Sequence, residues 1–295
     1  MNPTNKALLQ LHTAVLLAGF TGVLGKLIQL NEAWLVWYRM LITVGVLLLM
    51  ACYARQSIRL PVSLRWQLLG VGGIIAMHWL FFYGSIRYGN VSVALVCFSA
   101  TSAFTAVIEP ILLQRPFRIW ELLMGCMVLV GIYLIFHFDA GYRTGIVLGI
   151  ISSLLSALFP VMNKKLIEQV PANLLSLYEL GGGWLVLTLL MPFYLYFSSA
   201  GAYLPSISDW LWLLVLSLLC TVWAFQLSVK ALLRISPFTV NLSYNLEPLY
   251  GILLAFLIFK EHTLMGKGFF MGSALILFTL MLHTWRTLRQ RTTSV

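Results

Sequence analysis

Five ionisable side chains lie inside long apolar runs of this sequence, where a charged group is costly. They are Lys26, Arg39, Glu109, Glu179 and Glu247. By insertion scales, a charged residue at the centre of a membrane helix costs about 2.5–3.5 kcal/mol, and such residues usually face a protein interior or a cavity. Each of the five is therefore a candidate either for binding and coupling or for a structural charge pair.

The two basic candidates differ in depth. Lys26 lies about four residues from the end of its run, so its ammonium group can extend to the lipid headgroups. Arg39 lies about six residues into the next run and has further to reach. Its planar guanidinium could bind an anionic group of a solute, or it could pin neighbouring helices through backbone carbonyls. We favour the pinning role.

The acidic candidates near the ends of runs have basic neighbours. Glu109 lies four residues from the end of its run, close to Arg115 and Arg118. Glu179 lies at a depth similar to that of the lysines at 164–165. Because a buried charge is tolerated when it is paired, both positions predict structural ion pairs.

Glu247 differs because it lies in the middle of its run, directly after the most polar stretch of any run. Asn241, Tyr244 and Pro248 fall on one helical face, with Asn245 beside them. Such a face is costly to expose to lipid, and Pro248 also leaves the carbonyl of Tyr244 without its helical partner. We predict that this face lines a cavity, where Glu247 could also exchange a proton.

Two further runs combine aromatic and polar side chains. The third contains His78, Trp79 and Tyr83, and the eighth contains Trp223 and Gln226. The two tryptophans align when the halves of the chain are superposed, so we place both runs at the same cavity. Aromatic walls with a few polar groups suit an amphipathic organic solute.

The elements that carry these residues are ten apolar runs. Apolar residues make up 60% of the chain and charged residues only 9%, against about 25% charged in a soluble domain. A hydrocarbon layer ~30 Å thick needs about 20 helical residues to cross it. Continuous apolar runs favour helices over a β-barrel. The sequence predicts an all-α integral membrane protein with ten transmembrane helices at residues 7–30, 33–53, 66–88, 91–113, 119–138, 145–163, 173–197, 210–229, 237–259 and 267–285.

The net charge of +10 is distributed unevenly between the two sides of these predicted helices. The side that carries both termini collects thirteen lysines and arginines, whereas the opposite side has four: Arg87, Arg143, Lys260 and Lys267. Positive residues accumulate on the cytoplasmic side of membrane proteins. The charge therefore indicates orientation in a lipid bilayer, with both termini in the cytoplasm, and not binding to nucleic acid.

Similar features recur when the second half of the chain is superposed on the first. Gly25–Leu27 meets Lys164–Leu166, and the pair Tyr38-Arg39 meets Tyr178-Glu179. We predict two repeats, at 1–140 and 141–295. Because each would contain five helices, the second must cross the membrane with opposite polarity. Inverted repeats of this kind are typical of transporters that bind substrate near the midplane.

The chain resembles the EamA family of the drug/metabolite transporter (DMT) superfamily over essentially its whole length. The resemblance lies in Arg39, in FFYGSIRYGNVSVALVCFSATSAF at 81–104 and in SPFTVNLSYNLEPLYGILLAFLIFKEHTLMGKGFFMGSALI at 236–276. It implies a DMT/EamA-like fold of two inverted five-helix repeats. It also implies a secondary transporter that moves small organic metabolites, usually outward.

The first half departs from the family pattern. When Gly125 is aligned with Gly272, Thr101 stands where the second half has Pro248, and Gln114 stands where it has Glu261. The pair Glu109-Pro110 of the first half is displaced in this alignment and does not meet Glu247-Pro248 of the second. This departure argues against symmetric handling of substrate by the two halves.

We expect an exporter of amino acids or similar amphipathic solutes across the bacterial cytoplasmic membrane, working by alternating access. The chain contains no phosphate-binding loop, metal-ligand spacing or nucleophile elbow, so we expect no enzyme activity, cofactor or metal. The expected partners are a small-molecule substrate and the lipid bilayer, and the oligomeric state, a monomer or otherwise, is left open. The alternatives are another solute class (a nucleoside or base, an organic cation or a drug), an enzyme acting on a lipid carrier, and a sensor that does not transport.

Overall fold

The first half of the chain is a series of helices joined by short turns. The computed structural model describes residues 3–138, 140–197, 203–244 and 246–292, and within these ranges the chain contains no β-strand. The helices of the first half are α1 (Pro3–Gly19), α2 (Thr21–Leu27), α3 (Glu32–Tyr53), α4 (Val62–Tyr88), α5 (Val91–Phe98), α6 (Ala100–Leu113) and α7 (Ile119–Phe138).

The second half is built in the same way. A short 3-10 turn at Ala140–Tyr142 leads into it. Its helices are α8 (Arg143–Leu166), α9 (Ala172–Phe197), α10 (Ile207–Ser217), α11 (Ala224–Leu232), α12 (Pro237–Tyr244), α13 (Glu247–Phe259) and α14 (Lys267–Thr292). A π-helical turn, Leu218–Trp223, joins α10 to α11, and a 3-10 turn, Glu261–Leu264, follows α13.

Apolar helices coincide with all the predicted runs. Seven helical stretches of the described chain are long and apolar enough to cross a bilayer, and three apolar stretches are shorter. The seven are Pro3–Leu27, Glu32–Tyr53, Val62–Tyr88, Val91–Leu113, Arg143–Leu166, Ala172–Tyr196 and Ile207–Leu232. The three are Ile119–Ile135, Glu247–Phe259 and Lys267–Thr279. The chain is therefore an all-helical, multi-pass membrane protein.

Three runs that we expected to be continuous are interrupted. The breaks fall at Phe20, at Ser99 and between Tyr244 and Glu247. The last has a clear local cause, because Pro248 lies in the first turn of α13. Proline lacks a backbone N–H and fits the first turn of a helix better than its interior. These interruptions lie beside the cavity described below.

Helix contacts between the two halves occur in equivalent pairs. Helix α4 packs against α8 and α9, and correspondingly α11 packs against α1, and α10 against α3. Helix α5 contacts α13 while α6 contacts α12, so these two interrupted helices run antiparallel. Helices α7 and α14 pack against each other. The two halves are thus interleaved, and the space between them is walled by both.

Glycines permit the closest of these contacts. A Cβ atom built on Gly72 of α4 would lie 1.9 Å from the carbonyl oxygen of Glu179 in α9. A Cβ on Gly272 of α14 would lie 2.2 Å from the carbonyl oxygen of Gly131 in α7. Without a side chain, the two backbones can approach closely, which is a common way of packing membrane helices.

A first prediction concerns Gly72→Ala. The added methyl group meets backbone atoms that cannot rotate away, so α4 and α9 must separate. We expect a loss of roughly 1–3 kcal/mol of stability, the usual cost of overpacking. Thermal unfolding of the detergent-solubilised protein would measure it. Gly70→Ala is the matched control, because a Cβ at Gly70 of the same helix has no neighbour within 4 Å. Equal melting temperatures for both variants would contradict the prediction.

Candidate functional site

A cavity lies between the two halves. Helices α1, α2, α3, α4 and α5 of the first half contribute to its wall, as do α8, α11, α12 and α13 of the second. Its aromatic lining consists of Trp79, Phe82, Phe98, Phe159, Phe225 and Tyr244. Its polar lining consists of Thr21, Arg39, His78, Ser156, Asn163, Ser228, Asn241 and Glu247. A lining that combines aromatic walls with a few polar groups suits a small organic ligand.

Arg39 is the central charged group of this cavity. Its side chain is only 2% exposed, and its guanidinium carbon lies 3.7 Å from the centre of the Trp79 ring. The Nε–H donates to Thr221 Oγ1 at 2.8 Å, and Nη1 donates to Tyr83 Oη at 2.8 Å. Arg39 therefore joins α3 to α4 and to the π-helical turn. These contacts are the kind that a pinning role requires, although their acceptors are side chains and not the backbone carbonyls that we expected.

Tyr83 separates the cavity from a second hollow. It belongs to the lining of that hollow, together with Lys26, Glu32 and Arg87, whereas Arg39 belongs to the lining of the cavity. The hydrogen bond between Arg39 and Tyr83 thus connects the two linings. A Cβ on Gly25 would lie 2.2 Å from the Tyr83 ring, so the ring is packed closely against α2. The structure therefore places Tyr83 at the boundary of the cavity and not in the lining where we predicted it.

His78 lies on the cavity wall and is fixed from the second half. Its Nδ1 is 2.8 Å from Ser152 Oγ and 3.0 Å from the carbonyl oxygen of Ser152 in α8. Its ring stacks on that of Phe98 at 5.6 Å between centroids. Within the described chain, Nε2 has no hydrogen bond, so this nitrogen remains available to a ligand.

The polar face predicted for residues 241–248 does meet the cavity. Asn241 donates to Thr105 Oγ1 at 2.8 Å, and the Tyr244 hydroxyl lies 2.6 Å from Ser228 Oγ. Glu247 is 4% exposed and lines the cavity at the first residue of α13. Among the described residues, no side chain forms a hydrogen bond or an ion pair with its carboxylate. Asn245, which we also predicted here, lies outside the described residues.

The prediction that Trp223 lines the cavity is wrong. Its side chain is 52% exposed on the outer surface, and Phe225 contributes to the lining instead. A π-helical turn contains more residues than an α-helical turn, so it rotates the side chains that follow it. Gln226 is buried but is not part of the lining, and its Nε2 has no partner within the described chain.

Two carboxylates outside the cavity hold the ends of the interrupted helices. Glu109 accepts from the backbone N–H of Phe238 at 2.6 Å and pairs with Arg115 at 3.3 Å. In this way the end of α6 caps the beginning of α12. The ion pair that we predicted for Glu109 is present with Arg115, whereas Arg118 pairs with Glu121.

The equivalent contact at the other end uses Glu261. This carboxylate accepts from the Ser92 backbone N–H at 3.0 Å, from Ser92 Oγ at 2.7 Å and from Lys26 at 2.7 Å. The turn after α13 thus caps α5. Each half therefore caps a helix of the other. Sequence reasoning missed this equivalence, because Glu109 and Glu261 do not align.

The predicted ion pair of Glu179 is wrong. Its carboxylate is fully buried and accepts a hydrogen bond at 3.2 Å from Nδ2 of Asn163. Lys164 and Lys165 donate instead to the backbone carbonyls of Leu232 and Leu112. The lysines lie in the last turn of α8, where free carbonyls of neighbouring helix ends attract them. Glu179 therefore lies behind the cavity wall, connected to it by Asn163.

Four phenylalanines and one threonine at the site are absent from the residues that we predicted to line the cavity. The phenylalanines at 82, 98, 159 and 225 carry no signal that separates them from other apolar helix residues. Thr221 contacts Arg39 only because of the π-helical turn. A pattern search based on α-helical spacing cannot find such a contact. Phe259 lies outside this lining, and the centre of its ring is 4.5 Å from Lys26 Nζ.

The fold and the cavity together define a polytopic helical membrane protein with an aromatic and polar cavity between two similar halves. The EamA-like transporter family matches the sequence twice, over residues 5–137 and 143–285. The chain belongs to this family. The crystal structure of another protein is similar over 97% of this chain and 99% of its own length, with 17% sequence identity and a TM-score of 0.70. No curated protein matches this sequence.

A second prediction concerns acid stability and the cap made by Glu261. Burial raises the pKa of this carboxyl, but the hydrogen bonds from Lys26 and Ser92 outweigh burial and hold the pKa below its ordinary value. A carboxyl whose pKa is lowered on folding stabilises the folded state above its unfolded pKa, and this stabilisation is lost as the pH falls through the folded pKa. We expect Glu261→Gln to lower the melting temperature at neutral pH, and we expect the melting temperature of this variant to fall less than that of the wild type below about pH 4.

Glu121→Gln is the control for this experiment. Its partner Arg118 is 72% exposed, and exposed ion pairs contribute little to stability. Melting curves of the wild type and both variants across the pH range give the comparison. If Glu261→Gln loses as much stability on acidification as the wild type, the cap is not the source of the acid dependence.

Proposed function

We propose that this chain is a secondary transporter of small amphipathic organic solutes, with amino acids that carry aromatic or bulky apolar side chains as the first candidates. It works by alternating access and exports its substrate across the bacterial cytoplasmic membrane. The single observation that carries this proposal is the cavity between the halves, which combines aromatic walls with Arg39 and Glu247. Such a lining accommodates an apolar body and a polar head at the same time.

Two inverted repeats of five helices are the topology that we propose. Paired contacts support it, since the contacts of α4 with α8 and α9 have counterparts in those of α11 with α1 and α10 with α3. The reciprocal caps at Glu109 and Glu261 support it as well. The basic residues favour a cytoplasmic location for both termini.

The position of the cavity beside a second hollow supports alternating access. Its lining extends from Arg39 to Asn163 and Leu232, near the ends of α8 and α11. The second hollow lies at the opposite ends of the helices, around Lys26, Glu32 and Arg87. The hydrogen bond from Arg39 to Tyr83 lies at the boundary of the two linings. A rearrangement at this boundary would expose the same site to the other side.

Export of an organic cation is a second candidate function. It is favoured by the unpaired carboxylate of Glu247 within an aromatic wall, since cations bind well to aromatic faces. The buried guanidinium of Arg39 disfavours it, because a cation in the same cavity would be repelled.

The test of the proposed function is a transport assay. Purified protein in liposomes loaded with labelled phenylalanine should release the label faster than protein-free liposomes. Ser156→Phe, which fills the cavity from α8, should reduce release at least tenfold without changing folding. Leu154→Phe is the matched control, since Leu154 of the same helix is 41% exposed on the outside. No acceleration across a panel of amino acids would remove this substrate class. Release of cations alone would favour the second candidate.

A further inference from the structure

The cavity contains one cation whose hydrogen-bonding capacity is only partly used. A guanidinium has five N–H donors in one plane. Those of Arg39 that have protein partners are Nε–H, bound to Thr221, and one N–H of Nη1, bound to Tyr83. No carboxylate of the described chain forms an ion pair with it. The side chain is nevertheless 2% exposed, and Glu247, the one carboxylate in the described lining of the cavity, forms no ion pair with it.

The same cavity contains an anion, Glu247, that is also buried without an ion pair in the described part of the chain. Glu247 is 4% exposed, lines the cavity, and has neither a hydrogen bond nor an ion pair within the described residues. It is not paired with Arg39, although both belong to one lining. Two other buried carboxylates, Glu109 and Glu261, are both capped and paired, and a third, Glu179, accepts a hydrogen bond from Asn163. Glu247 is thus distinguished from them by its free carboxylate.

Burial of an unpaired charge is costly, and two such charges of opposite sign in one cavity relieve each other only at close range. A ligand that carries both an anionic and a cationic group can satisfy both. We propose that the cavity recognises a zwitterion, with the ligand carboxylate on the free edge of Arg39 and the ligand ammonium on Glu247. This proposal rests on the proposed transport function and assigns the roles of its two charges.

The chemistry of the two groups agrees with this assignment. Arginine binds carboxylates through two parallel N–H donors, and here the Thr221 and Tyr83 hydrogen bonds and the Trp79 ring fix the plane of the guanidinium. A carboxylate without protein donors accepts from a ligand ammonium. The phenylalanines at 82, 98, 159 and 225 supply an apolar wall for the remainder of the ligand. An α-amino acid with an aromatic side chain contains all three features.

The experiment compares three ligands on the wild-type protein in nanodiscs. They are phenylalanine, phenylalaninamide, which lacks the carboxylate, and N-acetylphenylalanine, which lacks the ammonium. Binding measured by calorimetry should be at least tenfold weaker for each analogue than for phenylalanine. Equal affinities for the three, or no binding of phenylalanine, would overturn the proposal. This series needs no variant, so it remains decisive if a substitution prevents folding.

Variants of Glu247 and Arg39 then test which group of the ligand binds to each of these two residues. Glu247→Gln should weaken the binding of phenylalanine at least tenfold. It should leave the affinity for N-acetylphenylalanine within about twofold of the wild-type value, because that analogue has no ammonium. Arg39→Gln should weaken phenylalanine but not phenylalaninamide, and Arg39→Lys should recover part of the loss. Glu121→Gln is the control, because this carboxylate lies outside the lining and pairs with the exposed Arg118, and the variant should bind like the wild type. Equal weakening of all three ligands by Glu247→Gln would contradict the assignment.

The binding and transport experiments together distinguish a failure of zwitterion recognition from a failure of the transport function. If the liposomes release phenylalanine, phenylalaninamide and N-acetylphenylalanine at equal rates, transport stands and recognition of the zwitterion is wrong. If phenylalanine binds selectively but is not released, recognition stands and the transport function is wrong.

Discussion

The side chain of Arg39 is the interaction on which the arrangement of the site depends. A guanidinium in an apolar interior has to be satisfied by neighbouring groups, and here these come from α4 and from the π-helical turn of the second half. The same contacts that hold the arginine also hold Trp79, Tyr83 and Thr221 relative to one another. The cavity therefore has a fixed centre, around which the aromatic residues of both halves are arranged.

The interrupted helices show how the fold meets the demands of a membrane interior. Backbone groups in lipid must find partners within the protein, so a helix can be broken only where other protein groups surround the break. The breaks at Ser99 and after Tyr244 lie beside the cavity, on helices whose beginnings are capped by Glu261 and Glu109. Each cap comes from the other half of the chain. The two halves thus stabilise each other at the places where each is weakest.

The sequence predicted the helical class and the location of the apolar runs, and the family match agrees with the resemblance seen in residues 81–104 and 236–276. Local chemistry explains this success, because length and hydropathy decide whether a segment can cross a bilayer. The structure also brings His78, Trp79, Asn241, Tyr244 and Glu247 to one cavity. Polar groups in apolar runs could be recognised from the sequence, because lipid would penalise them.

The tertiary structure alone decided which side chains contact each other and which side chains of a helix face the cavity. Trp223 lies on the outer surface and Phe225 lines the cavity because a π-helical turn changes the rotation of the helix, and no residue pattern announces that turn. Glu179 lacks its expected lysines because helix-end carbonyls compete for them. Glu109 and Glu261 are equivalent in space without aligning in sequence. The sequence by itself determined which segments are buried in the membrane, since that depends on each segment alone. Which side chains meet depends on how several helices pack together, and only the folded chain settles it.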